Sequence, residues 1–288
     1  MKIASGWKDY SVLSTGDGEK IEKWADFVLC RPDPQIIWPK YNKNIWNNAH
    51  AYYKRSSKGG GEWEFRKKIP DRWTVSYGNL KYYVEPMGFK HTGLFPEQAV
   101  NWDYMIEKIK RSTKPVNVLN LFAYTGGATV ACASAGANVC HVDAAKGMVE
   151  KAKRNLELSG LREKPVRFIV DDVIKFVQRE IRRENTYDAI IMDPPSYGRG
   201  PKGEIWKLEE ELFGLVNLCS NVLSSEPVFF ILNSYTTGLS ASVMKNILDL
   251  ILNHKFNGKT DDFEIGLPVD DSNITLPCGS TACWERYI

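Results

Sequence analysis

The sequence has no apolar run close to the ~18 residues that a membrane-spanning helix needs. Its N-terminal stretch, MKIASGWKDYSVLSTGDGEK, lacks the apolar centre of a signal peptide. Neither a membrane protein nor a secreted protein is indicated, so we expect a cytoplasmic protein without a membrane partner. Internal repeats and low-complexity tracts are missing too, which excludes a repeat architecture.

Cysteine and histidine are scarce, with six and four residues in a chain of 288. The cysteines form no CxxC pair, and no cysteine–histidine cluster has the spacing of a zinc site. We therefore expect no metal. In a cytoplasmic protein the thiols are predicted to stay reduced and structural. They are Cys30, Cys132, Cys140, Cys219, Cys278 and Cys283.

Two patterns of composition divide the chain. Residues 1–88 are rich in Trp, Tyr, Pro and Gly and contain short strand-like runs between turns, which predicts a small β-rich module with a role in substrate or RNA binding. Residues 96–110 predict an amphipathic helix that starts at Pro96. After Pro115, strand-like and helix-like segments alternate regularly, and a helix is expected over 204–223. The second domain is taken as 89–288.

The alternation after Pro115 predicts an α/β fold, a doubly wound, mostly parallel Rossmann-like sheet with helices on both faces. Strands such as AIIM and VFFIL are apolar throughout, as strands buried on both faces are. Two last strands, DFEIGL and CWERYI, are expected to form an antiparallel pair. Ligands of such sheets bind at the carboxyl ends of the strands, so the residues after each strand are the candidate site.

A glycine pair, Gly126–Gly127, follows the first strand of this sheet and opens a helix. Such glycines let a backbone approach a ligand, and the helix N-terminus favours a carboxylate or phosphate. The GxGxxG pattern of dinucleotide enzymes is absent, because Ala123, Tyr124 and Thr125 precede the pair. The pair indicates a smaller ligand, or alternatively a plain tight turn.

Acidic residues end the next strands. Asp143 stands seventeen residues after Gly126, near the ~20 expected of a carboxylate that binds ribose, although Asp is also a common helix N-cap. In the motif DDV, Asp172 is predicted to accept from an adenine amino group and Val173 to pack on the ring. Asp171 or Asp172 could equally cap the following helix.

The fourth strand ends in DPPSYGRGPKG. Two prolines after Asp193 cannot continue a strand, so they predict a rigid loop. A base turned out of its stack could lie on Tyr197 while its polar edge meets Asp193 and the carbonyl of Pro194. The alternative is a structural Pro-Pro turn.

Together, FAYTGG, Asp143, DDV and DPPSY resemble the class I S-adenosylmethionine-dependent methyltransferases. With KHTGLFPEQ (Lys90 to Gln98), the chain is similar to the bacterial large-subunit 23S ribosomal RNA methyltransferase family over residues 80–288. The resemblance implies a ribosomal RNA substrate, catalytic roles for Asp193, Pro194 and Tyr197, and S-adenosyl-L-methionine as cofactor. It implies cofactor contacts at Thr92, Phe95, Gln98, Phe122, Ala123, Tyr124, Thr125, Gly126, Gly127, Asp143, Ala144, Asp172, Val173 and Asp193.

One departure bears on the chemistry. Family members that methylate carbon 5 of cytosine carry a cysteine after the fifth strand, which adds to the ring. Here the run is NSYTTG, and Tyr235 stands about where that cysteine would be. The sequence therefore favours a nitrogen acceptor, for which positioning supplies most of the rate. The N-terminal module also does not resemble the RNA-binding PUA domain of some relatives.

Basic and aromatic residues are interleaved over 52–73, a pattern that suits phosphates and unstacked bases. A solvated strand face with the aromatics in the core is the alternative. A methyltransferase for a protein or small molecule, a dehydrogenase and a silent binding module also stay open, as does homo-oligomerisation. The residues are Tyr52, Tyr53, Lys54, Arg55, Lys58, Trp63, Phe65, Arg66, Lys67, Lys68, Arg72 and Trp73, with Arg199 and Lys202 beside the fourth loop.

Overall fold

The computed structural model describes residues 1–56, 60–199 and 205–287. The chain divides into two compact units. The larger unit comprises Met1–Lys2, Val100–Ile265 and Cys278–Ile288, and the smaller comprises Ile3–Ala99 and Gly266–Pro277. The smaller unit therefore joins the N-terminal part of the chain to a short piece from near its other end.

The smaller unit is built from strands, as its Trp- and Tyr-rich composition predicts. One sheet has five strands in the order β2-β3-β4-β5-β6, and β7 pairs with β8 in a second sheet. Its core includes Ile21, Cys30 and Trp46. The strands of these two sheets are β2 (Tyr10–Gly16), β3 (Glu19–Trp24), β4 (Phe27–Pro32), β5 (Ala51–Arg55), β6 (Gly61–Phe65), β7 (Trp73–Tyr77) and β8 (Leu80–Val84). The short strand β1 (Lys2–Ile3) precedes them in the chain and pairs in the eight-stranded sheet instead.

The larger unit contains the predicted doubly wound sheet, with eight strands in the order β1-β16-β17-β15-β12-β9-β10-β11. Its central pairs, from β15 through β12, β9 and β10 to β11, are all parallel. Strands β12 and β15 are buried at every position, as strands covered on both faces are. The strands are β9 (Asn117–Leu121), β10 (Asn138–Asp143), β11 (Val166–Val170), β12 (Ala189–Met192), β15 (Phe229–Ser234), β16 (Gly258–Pro268) and β17 (Thr275–Arg286).

Two strands, β16 and β17, are neighbours at one side of this sheet. Because the connection between them is too short for a crossover, they run antiparallel, as predicted. A separate two-stranded antiparallel sheet, which the sequence did not predict, pairs β13 (Tyr197–Arg199) with β14 (Ile205–Lys207). It follows directly from the fourth strand.

Six helices are described in the chain, and most match their predicted segments. Two starts differ. The first helix begins at Ala99, because Pro96–Gln98 forms a 3-10 turn, and the fifth begins at Leu208, since Ile205–Lys207 is strand β14 rather than helix. Glu204 itself lies outside the described residues. The helices are α1 (Ala99–Arg111), α2 (Gly127–Ser134), α3 (Lys146–Leu158), α4 (Val173–Arg182), α5 (Leu208–Ser220) and α6 (Ala241–Leu252).

The core of the larger unit lies between one face of the sheet and helices α4, α5 and α6. It takes alternate residues from the central strands, among them Leu121, Val142, Met192 and Leu232. Because β9, β10, β12 and β15 are parallel, their carboxyl ends lie along one edge of the sheet. This edge carries the residues that the sequence marked as a site.

Candidate functional site

The turn after β9 has an unusual backbone. Phe122 and Tyr124 adopt left-handed conformations, with φ of 53° and 49°, although neither is glycine. Such conformations are costly and persist where surrounding bonds enforce them. Here the N–H of Ala123 donates to the carbonyl of Val142 (3.1 Å), and Nδ2 of Asn155 donates to the carbonyl of Thr125 (2.9 Å). The turn is therefore fixed against β10 and α3.

Packing within the protein itself requires glycine at positions 126 and 127. Gly126 has φ of 83°, and a Cβ there would lie 2.8 Å from the Cβ of Ala152. At Gly127 a Cβ would lie 2.8 Å from Cζ2 of Trp102. Close packing against α3 and α1 thus requires both glycines, whatever the turn binds. Gly126 is also the N-cap of α2 and has no side chain with which to cap it, so the helix N-terminus can face a ligand anion.

Asp143 is joined to the turn by its side chain. Its Oδ2 accepts from the N–H of Tyr124 (2.9 Å), and its Oδ1 accepts from the N–H of Ala145 (2.8 Å). Its carbonyl accepts from the N–H of Asp171 (3.1 Å). Each carboxylate oxygen can accept a further hydrogen bond, so Asp143 can hold a diol while it holds the turn.

The DDV motif follows β11. Asp172 is the N-cap of α4, and its Oδ1 accepts from the N–H of Lys175 (2.9 Å). Asp171 forms an ion pair with Arg179 instead. Of the two acids that could cap the helix, Asp172 does so, and its second oxygen and exposed position still permit contact with a ligand. The side chain of Val173 is buried in the core, whereas Ala144 is exposed.

The loop after β12 is fixed on several sides. Nε1 of Trp206 donates to the carbonyl of Pro195 (2.7 Å), and the hydroxyls of Ser196 and Thr236 lie 2.6 Å apart. Pro194 is buried, and Tyr197 opens β13 with half of its surface exposed. Asp193 follows Met192, which pairs in register with Leu121 and with Leu232. The carboxylate therefore begins the loop between the ends of β9 and β15.

Buried polar side chains lie beneath the turn, and they were not predicted from the sequence. Nδ2 of Asn120 donates to Oγ1 of Thr129 (2.9 Å), which lies 2.9 Å from Nδ1 of His141. Burial lowers the pKa of His141 to about 3, so the ring is neutral. Polar residues inside otherwise apolar strands were the available signal.

Thr92, Phe95 and Gln98 belong to the smaller unit. Thr92 is completely buried there, and its carbonyl accepts from the N–H of Glu85 (3.1 Å). Phe95 precedes the 3-10 turn, and its carbonyl accepts from the N–H of Gln98 (3.1 Å). The expected role of this segment in cofactor binding stays a prediction.

The basic and aromatic stretch of the smaller unit is divided between two environments. Tyr53 and Trp73 are buried, as the alternative of a core role predicts. Phe65 is 56% exposed, and the guanidinium of Arg66 lies 3.8 Å from the ring centre of Tyr52. The cations of the stretch that the structure describes are exposed. Lys58 and Lys202 lie outside the described residues, and the side chain of Arg199 is not described.

All six cysteines are buried and none forms a disulfide, as predicted. Burial raises the pKa of the Cys132 and Cys219 thiols well above the ordinary value, and that of Cys140 to about 11. Cys278 was not singled out by the sequence. It precedes Gly279, where a Cβ would lie 3.0 Å from the ring of Tyr235, so the chain beside this cysteine passes close to the residue that follows β15.

Residues 48–207 match the S-adenosylmethionine-dependent methyltransferase family. The chain is similar to the crystal structure of a SAM-dependent methyltransferase from Agrobacterium tumefaciens, with a TM-score of 0.92 and 32% identity over 99% of this chain and 93% of that one. SMU.776, a putative methyltransferase complexed with SAH, has a TM-score of 0.73 at 22% identity, covering 97% of this chain and 76% of that one, which shows the fold alone.

Among curated relatives, the chain is similar to the ribosomal RNA large subunit methyltransferase K of Neisseria meningitidis, with 25% identity over 81% of this chain. The chain spans 61% of the length of that relative. Among the described residues, none of the helices combines the length and hydropathy that a membrane span requires.

The strand ends fit S-adenosylmethionine, the family's cofactor. Asp143 offers acceptors for a ribose, and Asp172 follows the next strand with an exposed carboxylate. The N-terminus of α2 begins at a glycine that cannot cap it, which suits the cofactor's carboxylate. The strained turn from Phe122 to Gly126 holds these groups in place. Sequence match, fold and site agree: the chain belongs to the S-adenosylmethionine-dependent methyltransferase family.

Proposed function

We propose that the protein transfers a methyl group from S-adenosylmethionine to a nitrogen on a base of ribosomal RNA. The observation that carries this proposal is the loop Asp193–Tyr197, in which a carboxylate, two prolines and a half-exposed aromatic ring follow β12. This strand lies between β9, which precedes the cofactor turn, and β15. A base bound at the loop would therefore lie beside the cofactor.

The bound cofactor supplies an electrophilic methyl group. The residues of the chain then have two tasks. Asp193 accepts a hydrogen bond from the N–H of the acceptor nitrogen, which increases electron density on that nitrogen and holds its lone pair in position. As the methyl group is bound, the proton of that N–H leaves the nitrogen along the same hydrogen bond. Tyr197 stacks on the base. Pro194 and Pro195 keep the carboxylate from moving, and the bonds of Trp206 and Ser196 support the loop.

The positions and the pKa values of the cysteine thiols support a nitrogen acceptor. Methylation of carbon 5 of a pyrimidine needs a thiolate that first adds to the ring and makes carbon 5 nucleophilic. Tyr235 stands about where family members that use this cysteine carry it. Burial raises the pKa of the Cys283 thiol to about 12, so it stays protonated. Cys278, whose neighbour Gly279 lies against Tyr235, is the cysteine that an experiment must exclude.

An RNA substrate is supported by the names of the curated relatives, which methylate large-subunit ribosomal RNA. The exposed cations Lys54, Arg66 and Lys67 beside Tyr52 and Phe65 offer contacts for phosphates and bases. Binding through these residues should weaken as salt rises.

The experiment is to incubate the protein with isotopically labelled S-adenosylmethionine and ribosomal RNA from a strain that lacks the gene. Labelled nucleosides are then identified by mass spectrometry, with RNA from the parent strain as the control. We expect one labelled base in the mutant RNA and none in the parental RNA, which is already methylated. Label that enters only a protein or a small molecule would refute an RNA substrate.

RNA that contains 5-fluorocytosine distinguishes the two chemistries. A cysteine nucleophile would be trapped on it as an adduct that survives denaturant, whereas we expect none. If an adduct forms with the parent protein but not with Cys278→Ser, Cys278 acts as a nucleophile and the nitrogen acceptor is wrong.

A further inference from the structure

A buried relay of three side chains supports Asn233, near the end of β15. Oγ1 of Thr281 donates to Oδ1 of Asn233 (2.8 Å) and accepts from Nδ2 of Asn101 (3.1 Å). Asn233, Thr281 and Asn101 are each at most 2% exposed. None of them was marked by the sequence, because they lie on β15, β17 and α1, far apart in the chain.

One hydrogen-bond donor of the relay has no partner within it. Nδ2 of Asn233 is buried and has no hydrogen-bond partner among the residues that the structure describes. Since buried donors are almost always paired in folded proteins, a lone donor calls for a specific explanation. The bond from Thr281 fixes the amide oxygen on the relay, so the amide nitrogen points away from it.

Asn233 and Asp193 follow residues that pair with each other. Met192 on β12 is in register with Leu232 on β15, and the two strands are parallel. Neighbouring strands lie about 4.8 Å apart. Met192 and Leu232 both enter the core under α4, α5 and α6. Alternation therefore directs Asn233 to the other face of the sheet, and its bond to the relay that begins on α1 agrees.

We propose that Asn233 is a specificity-determining residue, whose Nδ2 donates a hydrogen bond to the acceptor atom next to the methylated nitrogen of the base. This inference rests on the proposed function. Asp193 alone recognises an N–H group, and several edges of a base present one. A fixed donor beside that acceptor selects one orientation, in which an N–H and a neighbouring ring nitrogen or carbonyl oxygen meet Asp193 and Asn233 together.

The first test compares two substitutions at this position. Asn233→Asp keeps the shape and replaces the donor by an acceptor, and Asn233→Ala removes it. Both should lower kcat/KM for ribosomal RNA roughly 10- to 100-fold, the effect of one lost hydrogen bond in a closed site, with unchanged affinity for S-adenosylhomocysteine. Asn138→Asp is the matched control, because it makes the same change at the amino end of β10, away from the carboxyl ends of the strands. It should leave both kcat/KM and the affinity for S-adenosylhomocysteine unchanged.

The second test uses the relay. Thr281→Val removes the hydroxyl that orients the amide, whereas Thr281→Ser retains it. We expect Thr281→Val to lose activity in the same direction as Asn233→Ala, and Thr281→Ser to keep most of it. A purely structural role of the relay would instead lower the stability of both the Asn233 and Thr281 variants without changing kcat/KM at a temperature where they are folded.

The third test removes the atom of the RNA base that should accept the hydrogen bond from Asn233. Once the methylated base is known, its neighbouring acceptor atom is replaced by C–H in a synthetic RNA. The parent protein should lose about as much kcat/KM on this RNA as Asn233→Ala loses on the natural one, and Asn233→Ala should lose nothing further. Additive losses would overturn the inference.

The outcomes distinguish a failure of the proposed function from a failure of the inference about Asn233. If the parent protein does not methylate RNA, the proposed function fails and the inference fails with it. If it does, and the Asn233 variants are as active as the parent, only the inference fails. Loss of S-adenosylhomocysteine affinity in proportion to activity would mean that the donor serves the cofactor, which also overturns the inference.

Discussion

The N–H of Tyr124 donates to Oδ2 of Asp143 over 2.9 Å, which joins the turn after β9 to the end of β10. One carboxylate therefore shapes a left-handed residue of the turn and also offers its remaining lone pairs to a ribose. Binding and local backbone conformation depend on the same side chain, so they should be lost together.

Asp143→Ala should weaken binding of S-adenosylhomocysteine by about 2–4 kcal/mol, since charge-assisted hydrogen bonds to the ribose disappear. Isothermal titration measures this directly. Asp188→Ala is a suitable control, because Asp188 accepts similar bonds from the N–H of Asn117 and the hydroxyl of Ser224 at the other edge of the sheet. Equal affinity of Asp143→Ala and the parent would refute the ribose assignment.

Gly126→Ala and Gly136→Ala separate crowding from backbone strain. Both glycines have positive φ, but a Cβ at Gly136 meets nothing within 4 Å, whereas one at Gly126 meets Ala152. Gly136→Ala should cost about 1–2 kcal/mol of unfolding free energy from the left-handed conformation alone. Gly126→Ala should cost about 1–3 kcal/mol more, because the overlap with α3 adds to it. Urea unfolding measures the difference, and equal costs would show that packing against Ala152 is unimportant.

Gln98→Ala tests whether the segment 90–98 serves the cofactor site. We expect weaker binding of cofactor or substrate and little change in the thermal stability of the apo protein, because the side chain of Gln98 is only partly buried. Gln178→Ala, at an exposed position of α4, serves as the control. A large loss of apo stability with intact binding would favour a linking role for the segment.

Asp193→Ala and Tyr197→Ala should affect different steps. Asp193→Ala should lower turnover while binding of S-adenosylhomocysteine survives. Tyr197→Ala should weaken RNA binding by about 1–3 kcal/mol, the value of one stacked base, and leave turnover of bound RNA nearly intact. Phe213→Ala, which removes another half-exposed aromatic ring, should change neither. Single-turnover kinetics separate the two effects, and identical profiles for both variants would contradict the assigned roles.

Glu22 should make the smaller unit sensitive to acid. Its burial alone raises the pKa, but Arg31 and Lys20 outweigh burial and lower the pKa to about 2 from 4.5. The carboxylate accepts from Nε of Arg31 (2.6 Å) and from the hydroxyl of Tyr10 (2.8 Å). A depressed pKa gives stability that is complete above pH 4.5 and is lost as the pH falls towards 2.

Glu22→Gln should therefore lower the unfolding free energy at neutral pH by about 3–5 kcal/mol, because it leaves Arg31 buried without its partner. It should also flatten the dependence on pH between 4.5 and 2. Urea unfolding followed by tryptophan fluorescence measures both quantities. Glu64→Gln removes a solvent-accessible carboxylate that pairs with Lys54 and Arg66, and should leave the unfolding free energy nearly unchanged. Similar losses for the two variants would contradict a buried ion pair.

The strand ends could be predicted from the sequence because parallel strands direct their carboxyl ends to one edge. Asp143, Asp172 and Asp193 were marked as candidates by that rule together with the spacing from Gly126 and the motifs DDV and DPP. The pairing of β13 with β14 was not predicted, since Ile205–Lys207 directly precedes α5 and the predicted helix extended back over it. Asn233 was missed for a different reason: its partners Thr281 and Asn101 come from distant parts of the chain, and no local pattern connects them.

The smaller unit is completed by residues that are synthesised after most of the larger unit. The N–H of Ala4 donates to the carbonyl of Gly266 (3.0 Å), and the N–H of Asp270 donates to the carbonyl of Val12 (2.8 Å). A chain growing on the ribosome has made β2 to β8 long before it reaches Gly266–Pro277. The first unit to emerge must therefore wait, incomplete, while most of the larger unit is translated, and it gains these contacts only once Gly266–Pro277 have been made.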